Sequence, residues 1–91
     1  MIVTMDEIKN YLRIDFEYDD AMLENLMAAA EKQCMDILRT EDITELERCP
    51  NAKIAVMYVV AYLYENRNDA DFNGMNLTVR ALLFGDRKEG F

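Results

Sequence analysis

Eleven consecutive residues, Ile54 to Tyr64 in the stretch "IAVMYVVAYLYENR", carry neither a charge nor an amide side chain. The run ends abruptly at Glu65-Asn66-Arg67 and is preceded by Pro50, the chain's single proline. Eleven residues exceed the usual strand of about five or six, even though Ile54, Val56, Val59 and Val60 are β-branched. They also fall well short of the ~20 apolar residues that span a bilayer. Proline is tolerated in the first turn of a helix, where its missing N–H has no partner to lose. The reading is therefore a helix over Asn51–Asn66, apolar on every side. Such a helix must be covered on every side, by the rest of its chain or by a neighbour.

Two segments upstream supply part of that cover. In "TMDEIKNYL", Thr4 followed by Glu7 fits a reciprocal capping box. Ile8 and Leu12, with Met5 and Tyr11 beside them, share a face at helical spacing. "RIDFEYDD" interrupts the pattern, and Asp19 or Asp20 is a natural N-cap for the next helix. That helix is read over Ala21–Arg39, with Leu23, Leu26, Met27, Ala30, Cys34, Ile37 and Leu38 in one continuous stripe. Residues 40–49 read as a connection with a short helical turn pegged by Ile43 and Leu46. After the apolar helix, "NDADFNGMN" reads as a loop and "LTVRALLFG" as a short last helix stopped by Gly85. In it Val79, Leu82 and Leu83 face inward and Arg80 outward. Residues 86–91 form a polar tail. The expected fold is all-α, a single domain over residues 1–91, built as a small bundle of three main helices plus a short C-terminal one.

Ninety-one residues have no room for a second core, and a chain this short buries only about 60–65% of its unfolded surface. Small chains often gain stability by oligomerising. The net charge of −8 is uneven: residues 1–50 hold 13 acids and 5 bases, whereas residues 51–91 hold 5 of each. No Lys/Arg cluster could lead an approach to phosphates, which argues against stable DNA binding. The N-terminus lacks the basic start and apolar segment of a signal peptide, and two cysteines make no disulfide framework. A soluble, intracellular chain with Cys34 and Cys49 reduced is expected.

Catalytic options are few. With no histidine and no serine, neither a Ser–His–Asp nor a Cys–His arrangement can be built. The three glycines, at 74, 85 and 90, form no phosphate-cradling loop. "DFEYD" alternates like the opening of a calcium loop, but the required glycine position holds Asp20 and the closing glutamate position holds Leu26. No enzyme, metal or cofactor is expected. Glu65, Asn66 and Arg67 read either as a solvated helix end, with Arg67 favourable near the negative pole of the helix, or as a pairing across a subunit boundary. Tyr58 and Tyr62, one turn apart, are equally readable as core or interface.

In order, "VTMDEIKNYLRID", "DDAMLENLMAAAEKQCMDIL", the proline-led helix ending "VAYLYENR", and "LTVRALLFGDRKEGF" resemble the small head–tail connector (adaptor) proteins of long-tailed bacteriophages and prophages. The resemblance runs from Val3 to Phe91. It implies a non-enzymatic, largely helical subunit of a ring, of about twelve copies, docked beneath the portal protein. Such a ring extends the DNA exit channel and receives the next neck or tail-completion protein. It further implies residence in the virion neck, and in the host cytoplasm during assembly, with no membrane contact. DNA passes through without sequence-specific binding, which an acidic, base-poor subunit suits. Carried onto this chain, the resemblance puts Tyr62, Glu65 and Arg67 near a subunit boundary and Arg80 on the outer side of the last helix. Arg87 and Phe91 fall in a tail that would order on assembly. Two rivals remain. One is a small acidic helical module encoded by a prophage, acting as a DNA-mimicking decoy in one-to-one or dimeric complexes. The other is a Mg²⁺-dependent nuclease or hydrolase using Asp15, Glu17 and Asp19.

Overall fold

A computed structural model describes residues 2–15, 17, 19–66 and 71–84. Among them the chain forms five helices and no strand: α1 (Met5–Leu12), α2 (Asp20–Leu38), α3 (Ile43–Glu47), α4 (Ala52–Glu65) and α5 (Phe72–Phe84). The all-α reading holds.

The start of α1 is fixed by the capping box. The Thr4 hydroxyl accepts from the Glu7 N–H at 3.1 Å, and Glu7 Oε1 accepts from the Thr4 N–H at 2.9 Å. These contacts satisfy two donors that a helix start otherwise leaves open. Both α1 and α2 end on an arginine in the left-handed region, Arg13 at φ 60° and Arg39 at φ 61°. Each ending returns two N–H groups to the last turn: Ile14 to the Lys9 carbonyl at 2.9 Å and Thr40 to the Met35 carbonyl at 3.0 Å close the wider loops. A glycine would adopt that backbone without cost, so nothing in the sequence announced these two stops.

Asp19 is the residue ahead of α2, as read, but its side chain does not cap the helix. Its Oδ2 instead accepts from the Tyr64 hydroxyl at 2.7 Å, tying the start of α2 to the end of α4. Asp20 pairs with Lys9 of α1. Pro50 also serves differently from expectation. The Ala52 N–H bonds the Cys49 carbonyl at 3.1 Å, making Pro50 the second residue of a β-turn ahead of the N-cap Asn51. Proline's fixed φ suits that turn position, so it sets the corner between α3 and α4 rather than lying in α4's first turn.

The largest departure lies in α5. It begins at Phe72, inside the segment read as a loop, and its 13 residues nearly match the 14 of α4. Asp71 is the reason. Its Oδ1 accepts from the Gly74 N–H at 3.1 Å, and its carbonyl accepts from the Met75 N–H at 3.0 Å. Asp71 thus acts as a helix start that turn-like neighbours had disguised. Gly85, read as the helix stop, lies outside the described residues.

One hydrophobic core joins the elements. Ile8, Leu23, Leu46, Val56, Val59, Val60, Met75 and Val79 are fully or almost fully buried, with Met27, Ala30 and Cys34 of the predicted α2 stripe beside them. Each fully buried Leu, Ile, Val or Met among them contributes about 1.5–3 kcal/mol on leaving water. The α2–α4 and α4–α5 interfaces dominate the packing, with α1 also lying on α4. Helix α5 runs antiparallel to α4: Asn51 Nδ2 donates to the Leu82 carbonyl at 3.1 Å, and the Asp71 N–H donates to the Tyr62 hydroxyl at 2.7 Å. The apolar helix is therefore the central post, flanked by α1, α2 and α5.

Candidate interaction surface

The cover around α4 is incomplete. Val56, Val59 and Val60 face inward, but Ile54 on the opposite side is 52% exposed. At about 100° per residue, Ile54, Ala61 and Glu65 fall on one outer stripe, with Tyr58 along its edge. Ala61 and Tyr58 are half-buried and Glu65 is exposed. The other exposed large apolar side chains among the described residues are Tyr11 on α1 and Phe72 and Leu77 on α5, Leu77 being 69% exposed. Helices α2 and α3 contribute none.

At one end of the stripe the surface dips into a groove of about 430 Å³ between the end of α1 and the outer side of α4. Its walls are Tyr11, Leu12 and Arg13 from α1 and its cap, and Tyr58, Ala61, Tyr62 and Glu65 from α4. The Tyr58 and Tyr62 rings lie 6.1 Å apart between centroids, tilted by 31°. Aromatic rings of this kind present apolar area with a polar tip and little side-chain entropy to lose. Arg13 and Glu65 add one charge of each sign. The groove is chemically fit to receive an apolar or aromatic surface from another protein, and it carries no arrangement of nucleophile and base.

The predicted site residues separate accordingly. Tyr62 and Glu65 do share this groove. Arg80 is exposed on α5, outward as read, and is not among the groove's walls. Arg67, Arg87 and Phe91 lie outside the described residues. Tyr11 and Arg13 were missed. Tyr11 sits next to Leu12 and reads as part of the apolar face of α1, yet it is 52% exposed, because Ile8, Met5 and Leu12 take the face that meets the core and Tyr11 falls to its side. Arg13 enters the groove only through its left-handed backbone, for which a lone arginine gives no sequence signal.

Elsewhere the charged groups hold the fold together. Lys53 Nζ lies 2.7 Å from Glu7 Oε2, and that contact together with the capping bonds holds the Glu7 carboxyl below its ordinary pKa. Hydrogen bonds from Thr44 lower the Asp42 carboxyl in the same way at the start of α3. Burial pushes the Cys34 thiol up to about 12, with Glu31 adding to the rise. Of the acidic trio considered for a metal, Asp15 and Glu17 are exposed while Asp19 is engaged by Tyr64.

Comparison with protein families matches residues 2–81 to the family described as phage gp6-like head-tail connector protein. Comparison with curated proteins and with solved structures gives no match.

Proposed function

From the premise that the chain belongs to the phage gp6-like head-tail connector family, and so serves the join between head and tail in a virion neck, we propose that it is a subunit of a ring beneath the portal. In this reading about twelve copies close side by side, extend the DNA exit channel and present a platform to the next neck or tail-completion protein. The observation that carries it is the uncovered outer stripe of α4. A core helix with Ile54 half exposed and a tyrosine-lined groove beside it is what a subunit completed by its neighbours would leave open. The charge supports the same role. A base-poor subunit with a net charge of −8 repels the phosphate backbone and lets the duplex slide.

Native mass spectrometry of the protein with and without the portal protein of the same phage tests this. The expected result is portal carrying about a dozen copies, added stepwise or all at once. A folded protein that stays off the portal at low and moderate salt would overturn the reading. In that case a one-to-one or dimeric complex with another protein would identify an acidic partner-binding module instead.

A further inference from the structure

The chain has one Asn-Gly pair, Asn73-Gly74, and it lies in the first turn of α5 with Asn73 exposed. The glycine has a structural reason. The Asp71 carboxylate folds back so closely that a Cβ at position 74 would lie 2.8 Å from its Oδ2. The same pair carries a chemical liability, because a glycine nitrogen has no side chain beside it to hinder attack on the carboxamide carbon of the preceding asparagine. Every other asparagine of the chain precedes a residue with a side chain. Two features of the fold oppose the attack. A helical ψ, about −42°, turns the next nitrogen away from the Asn73 side chain. The Gly74 N–H, a first-turn donor with no helical carbonyl behind it, bonds to Asp71 Oδ1 at 3.1 Å. That bond occupies the proton the attack must remove, and the carboxylate's charge disfavours a negative nitrogen beside it. Asp71 is held in turn by Tyr62, whose hydroxyl accepts from the Asp71 N–H at 2.7 Å.

We propose that Asn73 is a site of spontaneous hydrolytic modification, held in check by the Asp71 cap and reactive whenever the first turn of α5 opens. In the open turn the Gly74 nitrogen bonds to Asn73 Cγ while the bond from Cγ to Nδ2 breaks. Nδ2 departs as ammonia, taking up by way of solvent the proton that the Gly74 nitrogen loses, and a five-membered succinimide remains. Water then opens that ring at either carbonyl and leaves aspartate or isoaspartate. Either product sets a new carboxylate two residues from Asp71, and isoaspartate also adds a methylene to the main chain. The regular hydrogen-bond ladder of a helix has no place for that extra atom, so the start of α5 comes apart there. The change reaches the groove through Tyr62, which both holds Asp71 and walls the groove.

The test incubates the whole chain at mildly alkaline pH and follows each asparagine by peptide mapping with mass spectrometry. In guanidinium, where no cap exists, Asn73 is expected to be the first asparagine converted. In the native protein its conversion should be slower by about tenfold or more, since it must await a local opening. Asp71→Ala is expected to raise the native rate about fivefold, the equilibrium factor that a lost N-cap represents. Asp71→Ser keeps a capping oxygen and should stay within about twofold of the wild type. Leu46→Ala provides the control for global unfolding, because Leu46 is buried at the other end of α4 from Tyr62. Verified as folded by circular dichroism, it should convert Asn73 at the wild-type rate. A native rate equal to that in guanidinium would overturn the proposal, as would an Asp71→Ala protein no faster than the wild type. Asp71→Ser as fast as Asp71→Ala, or Leu46→Ala as fast as either, would equally remove the cap as the guard.

Discussion

The start of α5 offers a sharp test, because it hangs on one carboxylate and one glycine. Asp71→Ala removes the acceptor for the Gly74 N–H and should cost about 1 kcal/mol, the usual value of an N-cap. Gly74→Ala has two opposed effects. Alanine is better than glycine within a helix by about 0.8–1 kcal/mol. Its Cβ, however, would lie 2.8 Å from Asp71 Oδ2, so the carboxylate must swing aside and the cap weakens by a comparable amount. The single variant should therefore be nearly neutral. With Asp71 already replaced, nothing obstructs the Cβ and the full gain of about 1 kcal/mol returns. The double variant should match the wild type, a coupling of about 1 kcal/mol between the two positions. The chain has no tryptophan, so urea unfolding is followed by circular dichroism at the helix band, comparing midpoints at constant slope. The Asp71→Ala midpoint by heating should fall by roughly 4–8 °C. An Asp71→Ala protein of unchanged stability, or a Gly74→Ala protein that gains its full propensity beside an intact Asp71, would refute this account. Either result would mean that the Asp71 carboxylate does not cap α5.

Arg39→Gly should stabilise the protein by about 1 kcal/mol, since glycine adopts the left-handed cap of α2 without steric cost; urea unfolding measures it. Leu23→Ala, which empties a fully buried site between α2 and α4, should cost about 2–5 kcal/mol in the same assay. In the folded protein an alkylating reagent should modify Cys49 and spare Cys34, which is buried and neutral; mass mapping of the labelled protein reads this directly. The raised Cys34 pKa also has a definite sign. The unfolded chain releases that proton first, so the stability present below the ordinary thiol pKa should decline as pH rises toward about 12. The lowered Glu7 pKa works oppositely: its contribution is present above the ordinary carboxylate pKa and fades as pH falls through the depressed value. Glu7→Gln should flatten that acid limb.

Much of the bundle was legible because periodicity and capping are local. Thr4 and Glu7, the Leu23–Met27–Ala30–Cys34 stripe, Leu46 in its short turn, and the apolar run of α4 all land where the pattern puts them. The failures share one cause, side chains or backbone positions with more than one use. Asp71 and Gly74 sit in a run of Asn, Asp and Gly that marks loops on average, and only the carboxylate's reach to one N–H makes it a cap. Pro50 fits either a first helical turn or a β-turn, and the bond from Ala52 to Cys49 decides. Asp19 has the right position for a cap, but Tyr64, 45 residues later, takes its carboxylate. Of the groove's walls, Tyr62 and Glu65 were singled out in the chain because they end an apolar helix. Tyr11 and Arg13 could not, since they join the groove only after α1 docks on α4.

The end of α4 shows why an apolar helix finishes in tyrosines. Tyr62 and Tyr64 bury their rings partly against the bundle and send their hydroxyls outward, Tyr64 to Asp19 ahead of α2 and Tyr62 to the Asp71 N–H ahead of α5. One helix end thus holds the first turns of two others. Tyr62 has a second position to fill, since its ring also walls the groove beside Tyr58. Whatever presses on the groove therefore presses on the residue that holds the start of α5. Tyr62→Phe separates the two roles, keeping the ring and deleting the hydroxyl. It should cost at most about 1 kcal/mol, because the freed Asp71 N–H is exposed and turns to water. Hydrogen exchange should reveal more than stability does. The Gly74 and Met75 amides bond to Asp71 and should exchange several-fold faster in the variant, while the Val79 amide, deep in the same helix, should not change. Equal protection at Gly74 and Met75 in both proteins would mean that Asp71 holds its place without Tyr62, and that the groove and the helix start are independent.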